Sequence, residues 1–145
     1  MVRHIFSNHS IEQLHTLHPD LQKICRAVLP HHDFKIQEGH RSKARQNDAF
    51  DRGVTKVKWP NSKHNSSPSE AMDLLPFVNG AFIGWNDWKQ WRYFGGVVMG
   101  YAAALHDAGE IAHRLRWGHD WDMDNDLGDH RFVDGPHFEL IGNVT

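Results

Sequence analysis

His64, Asp73 and His137 are the residues whose types and placement could carry chemistry in this chain. Two imidazoles and one carboxylate supply three donors and leave the fourth position of a tetrahedral zinc open, as a catalytic site requires; a structural zinc is closed by four protein ligands. His64 stands in a polar stretch rich in Ser, Asn, Lys and Pro, and Asp73 sits where the apolar run "EAMDLLPF" begins. An ionised carboxylate entering a core is costly unless it is paired or coordinates a metal. Spacing alone leaves open that Asp73 instead caps a turn or pairs with an arginine. Glu139, two residues beyond His137, could orient that histidine through a hydrogen bond.

The elements that must position these side chains are legible in the pattern of apolar residues. Ser10 and Gln13 form a capping-box pair for a first helix, which Pro19 interrupts. Pro19 suits a first helical position, and Leu21, Ile24, Cys25, Val28 and Leu29 recur at helical spacing until Pro30. In "DFKIQEG" the set Phe34, Ile36 and Glu38 alternates with Lys35 and Gln37, which predicts a short strand. Ser42 caps a helix carrying Ala44, Gln46, Ala49 and Phe50, with Gly53 as its terminator. Val54 to Ser69 then reads as a loop of the length that usually has a function. "EAMDLLPF" predicts a strand with Ala71 and Asp73 on one face and Met72 and Leu74 on the other. A turn at "VNGAFIGWND" precedes the longest helix, from Asp87 to near Gly109, in which Trp88, Trp91, Phe94, Val97, Val98, Tyr101, Ala102 and Leu105 mark the buried face. Two strands, "HRLRWG" and "HFELI", flank an acidic loop. Helices mixed with a few strands imply an α+β fold.

Composition limits the function classes. A chain of 145 residues with 39% apolar and 23% charged residues has the profile of one soluble globular domain. The formal charge of -2 offers no basic field for nucleic acid. The single cysteine, Cys25, excludes an internal disulfide and a Cys-rich zinc cage, so any metal must be held by His and carboxylates. No apolar run is long enough for a membrane span, and the N-terminal stretch has no signal-peptide core. Of the 13 histidines, His4, His9, His15, His18, His31, His32, His106 and His113 have no partner at useful spacing and are expected to be solvated surface groups.

Asp120, Asp122, Asp124 and Asp126 alternate through the acidic loop, a spacing that could wrap oxygen ligands around calcium. The glycine and glutamate of an EF-hand are missing from their positions, so a solvated acidic loop is the simpler expectation, with Ca2+ the alternative.

"SKH", then "AMD", then "DGPHFEL" resemble the zinc peptidases of the D-alanyl-D-alanine carboxypeptidase family. "EGHRSKARQNDAFDRGVTKVKWPNSKHN" and "LRWGHDWD" are similar to the phage-type L-alanyl-D-glutamate peptidases of that family, endolysins that cut peptidoglycan stem peptides. The resemblance runs from about Phe34 to Leu140. It departs in one place: the wider family places its Asp seven residues after the first His, whereas Asp73 follows His64 by nine, with "SSPS" in the lengthened turn.

This resemblance implies that His64, Asp73 and His137 bind one catalytic zinc and that Asp134, three residues before His137, is the catalytic carboxylate. It implies that Arg41 lies in the active site, binding a substrate carboxylate or steadying the oxyanion. Ser62 and Gln46 are implied as substrate contacts. The expected fold is a single domain over residues 1–145, helices packed on a small antiparallel sheet bearing the zinc site, in the hedgehog/D-Ala-D-Ala peptidase-like manner. The expected activity is hydrolysis of the L-alanyl-D-glutamate bond of bacterial peptidoglycan by a monomer made in the host cytoplasm and released through a separate pore protein. A D-alanyl-D-alanine carboxypeptidase or dipeptidase, and a non-catalytic cell-wall or zinc-binding module, are the alternatives.

Overall fold

The computed structural model describes residues 3–128 and 133–142. Helices α1 (Asn8–Leu14) and α2 (Pro19–Val28) come first, then strand β1 (Phe34–Glu38) and helix α3 (Lys43–Asp51). A single 3-10 turn, Lys63–Asn65, interrupts the long loop before β2 (Ala71–Val78). The two-residue β3 (Ala81–Phe82), helix α4 (Trp88–Asp107), β4 (Arg114–Trp117) and β5 (His137–Ile141) complete the order. The strands form one antiparallel sheet in the order β1-β2-β5-β4, with β3 paired to the far end of β2. This is the α+β architecture expected from the sequence, with four α-helices among the described residues packed on a small antiparallel sheet.

Local signals place the helix ends. Ser42 and Asp87 accept hydrogen bonds from Arg45 N and Gln90 N at the starts of α3 and α4, and Pro19 opens α2. Asn79 and Gly80 both have positive φ, 53° and 79°, as a two-residue type I′ turn between β2 and β3 requires. The first helix differs from expectation: its cap is Ser7, which accepts from Ser10 N at 3.1 Å. Ser10 is a buried residue of the first turn, and it and Gln13 fasten β1 instead, accepting from Ile36 N and Gly39 N at 3.0 Å each.

Strand alternation gives the sheet two unlike faces. Ile36, Met72, Leu74, Leu115, Trp117, Phe138 and Leu140 form the apolar face and pack with α2 and α4 into one core. Burying each such side chain contributes about 1.5–3 kcal/mol. Gly95 allows α4 to lie close on this face, since a Cβ there would fall 2.3 Å from the Trp117 ring. Asp73, His137 and Glu139 alternate with core residues on β2 and β5 and therefore occupy the opposite face.

Glu38 is a correction to the predicted alternation. The β1–β2 register runs Ile36↔Leu74 and then Glu38↔Asp73, so Gln37 is an extra, bulged residue. The bulge moves Glu38 from the face of Phe34 and Ile36 to that of Asp73. Three of the histidine expectations are also corrected. His32 is buried against Phe94, with Nδ1 2.8 Å from Asp33 O. His18 and His113 meet at the buried Asp20: His18 Nδ1 accepts from Asp20 N, and His113 Nδ1 lies 2.8 Å from Asp20 Oδ2.

Candidate active site

Register brings two of the three donor residues together. Asp73 and His137 are direct partners across β2 and β5. His64 arrives from the loop on the 3-10 turn Lys63–Asn65, held by a capping box in which Ser62 Oγ accepts from His64 N and Asn65 Oδ1 accepts from Ser62 N. Arg41 N donates to His64 O at 2.7 Å, and Asn65 Nδ2 donates to Arg41 O at 3.1 Å, fastening the turn to the end of β1. The lengthened "SSPS" turn therefore still delivers His64 beside Asp73.

The donor atoms converge on one point. Asp73 Oδ1 lies 3.4 Å from His64 Nε2 and 3.4 Å from His137 Nδ1. The edge of a tetrahedron with bonds of about 2.0–2.1 Å is roughly 3.3–3.4 Å, so the spacing suits zinc. The tautomers suit it as well. His64 Nδ1 donates to Gly39 O at 2.7 Å, leaving the Nε2 lone pair toward Asp73. His137 Nε2 donates to Glu139 Oε1 at 2.8 Å, which aims Nδ1 inward. Among the described residues, His64 Nε2 and Asp73 Oδ1 are buried polar atoms with no hydrogen-bond partner. Buried polar atoms are normally satisfied, so this orphaned pair fits a cation between them.

Charges around the donors are strongly coupled. Burial alone would raise Asp73, but His64 and His137 hold its carboxyl far below the usual range. Burial would lower His137, but hydrogen bonds to Asp73 and Glu139 raise it to about 9. Glu139, against the effect of its burial, is lowered to about 2 by His137 and Arg116, whose Nη2 donates to Glu139 Oε2 at 2.7 Å.

Asp134 stands at the turn before β5, where its N–H donates to Gly118 O and its carbonyl accepts from His137 N. It lines one cleft of about 900 Å³ with Arg41, Ser62, His64, Asp73 and His137. Burial raises the Asp134 carboxyl above its ordinary value and the charge of Asp73 adds to this, against the pull of His137, His64 and Arg41. Its environment thus differs in sign from that of Asp73, the separation of two carboxylates that acid–base chemistry uses.

Arg41 is bound on three sides. Its Nε pairs with Glu38, its Nη1 donates to Gln46 Oε1 at 3.1 Å, and its Nη2 donates to Asp73 Oδ2 at 3.4 Å. Gln46 is 0% exposed and also donates to Val57 O at 2.6 Å, so it stands behind Arg41 and is closed off from the cleft. Glu38, missed as a functional residue in the sequence, pairs with both Arg41 and Arg45. The signal for it was an acid at the end of an apolar strand, next to "GHR".

In the acidic loop, Asp120, Asp122 and Asp124 each offer an oxygen within 4.8 Å of the others, whereas Asp126 stands outside this group. The alternation has a local cause: Asp122, Asp124 and Asp126 accept from Asp124 N, Asp126 N and Gly128 N, successive turns closed by side chains. Part of this loop lies outside the described residues.

The model of a family described as phage L-alanyl-D-glutamate peptidase matches residues 2–141. The chain belongs to the phage L-alanyl-D-glutamate peptidase family. It is 33% identical over 142 residues to the L-alanyl-D-glutamate peptidase of Escherichia phage T5, covering 94% of this chain and 97% of that protein. Its fold is similar to the crystal structure of the Serratia marcescens L-Ala D-Glu endopeptidase ChiX, with a TM-score of 0.71 and 28% identity, covering 94% of this chain and 89% of that one. As an L-alanyl-D-glutamate peptidase family member, the chain places its matched segment across every element described above. No helix among the described residues is long and apolar enough to cross a membrane.

Proposed function

We propose that this protein is a zinc-dependent peptidoglycan endopeptidase that hydrolyses the L-alanyl-D-glutamate bond of stem peptides. The observation that carries the reading is the orphaned pair His64 Nε2 and Asp73 Oδ1, set 3.4 Å apart beside His137 Nδ1 in a member of this family. His64, Asp73 and His137 would hold the zinc, which when bound supplies Lewis-acid chemistry, acidifying water and polarising a carbonyl.

The chain's own residues perform the rest. Glu139 and Gly39 fix the two rings through the nitrogens facing away from the centre. Asp134, with its raised affinity for a proton, takes one from the attacking water and passes it to the leaving amine of D-glutamate as the C–N bond breaks. The products are the L-alanine carboxylate and a free amine. Arg41 presents a positive charge at the cleft, for a substrate carboxylate or the developing oxyanion, while Gln46 and Glu38 hold it in place. Ser62 shapes the His64 turn and contacts substrate from the cleft rim.

Zinc content and muropeptide products measured on one preparation, with and without chelator, test this reading. Release at L-alanine that is lost with the metal supports it. Loss of terminal D-alanine would replace it with a carboxypeptidase, and zinc binding without hydrolysis with a cell-wall or zinc-binding module. We further propose that the single catalytic domain acts as a monomer, and that it reaches the wall from the host cytoplasm through a separate pore protein. Calcium at Asp120, Asp122 and Asp124 is a subordinate proposal resting on their grouping. Identical melting with calcium and with a chelator that spares zinc would end it.

A further inference from the structure

Trp85 is a large apolar side chain left 60% exposed on the rim of the cleft that holds the donor residues. Its ring is nevertheless fixed. It stacks on Trp91 at 5.7 Å between centroids and 16° between planes, and Phe82 meets it edge-on at 5.2 Å and 71°. Trp91 is 1% exposed, and its Nε1–H donates to Gly84 O at 2.8 Å, pinning the backbone immediately before Trp85. Trp91 also packs on Gly135, where an added Cβ would lie 3.2 Å from the ring. A continuous column therefore runs from the exposed indole through Trp91 to the residue following Asp134.

We propose that Trp85 is a stacking platform for a pyranose ring of the glycan strand that carries the stem peptide. The inference rests on the proposed peptidoglycan substrate. In that polymer, the L-alanine whose carbonyl is attacked is joined through its nitrogen to the lactyl group of muramic acid. One amino acid and a short ether arm separate the sugar from the scissile bond, so a cleft that admits the bond has the sugar at its margin. A pyranose presents an apolar face of C–H groups, which complements the electron-rich face of an indole, while its hydroxyls stay in water. An exposed, immobilised ring at a rim meets both needs, and immobilising it beforehand removes an ordering cost from binding.

Hydrolysis of two substrates tests the platform: a disaccharide-linked stem peptide, and the same peptide with an acetyl group in place of the sugar. Trp85→Ala should raise KM for the sugar-linked substrate by about tenfold with kcat little changed, and leave the sugar-free peptide within about twofold of wild type. Trp85→Tyr should recover most of the loss. Equal effects on both substrates, or none on the sugar-linked one, would overturn the platform. In wild-type protein, titration with the muramyl disaccharide should shift the Trp85 indole N–H resonance, and an unmoved resonance would also overturn it. Failure of wild type to cut either substrate overturns the proposed function instead, and this inference with it.

Discussion

Asp73 and His137 are paired residues of neighbouring antiparallel strands, and their side chains meet with Asp73 Oδ1 3.4 Å from His137 Nδ1. The donor set is therefore built largely on β2 and β5, two central strands whose other face is the core. Only His64 depends on a loop, and that loop is tied down by Ser62, Asn65 and Arg41.

Because Glu139 takes the hydrogen of His137 Nε2, it sets which ring nitrogen faces the centre. Glu139→Ala should lower zinc affinity by about 10–100-fold, read by competition with a chromophoric chelator. Wild-type affinity in the variant would remove Glu139 from the site.

Asp134 is proposed to move protons without holding metal. Asp134→Asn should reduce kcat by about 10²–10⁴-fold while zinc content stays at the wild-type value. Loss of zinc along with activity would instead make Asp134 a ligand.

Gln46 satisfies Arg41, Asn65 and Val57 O from a fully buried position. Gln46→Ala leaves those groups without their partner and should cost about 1–3 kcal/mol of stability, measured by urea unfolding. It should also lower kcat/KM, because Arg41 loses its support. A variant as stable and active as wild type would contradict this role.

Asp20 gives the fold an acid-sensitive tie. Burial alone would raise its carboxyl, but hydrogen bonds from the His113 side chain, His113 N and Ala112 N, with the nearby His18, lower it. A group bound more weakly to its proton in the folded state stabilises above its unfolded pKa, about 3.9, and loses that contribution as pH falls through the lower folded value. The urea midpoint of wild type should therefore fall more steeply below about pH 4 than that of Asp20→Asn. Parallel curves would show that Asp20 makes no such contribution.

Much of the scaffold was legible in the chain because its signals are local. Pro19, Ser42, Asp87 and the three- to four-residue spacing on α4 each act within a turn or two of backbone, and α2, α3 and α4 start where they indicate. His64, Asp73, Asp134 and His137 are legible through resemblance, and Asp73 also through the cost of an acid entering a core; these four line one cleft.

Relationships between distant segments are set by the folded chain alone. No local pattern reveals that Gln37 bulges and turns Glu38 toward Arg41, because a bulge is defined by the strand across from it. The same holds for Gln46 behind Arg41, for Asp20 under His113 and for Trp85 stacked on Trp91. Residue types and short-range spacing determine which groups are available and which elements carry them. Register, burial and the pairing of polar atoms across the sheet are long-range quantities, and they determine which of those groups face a common centre.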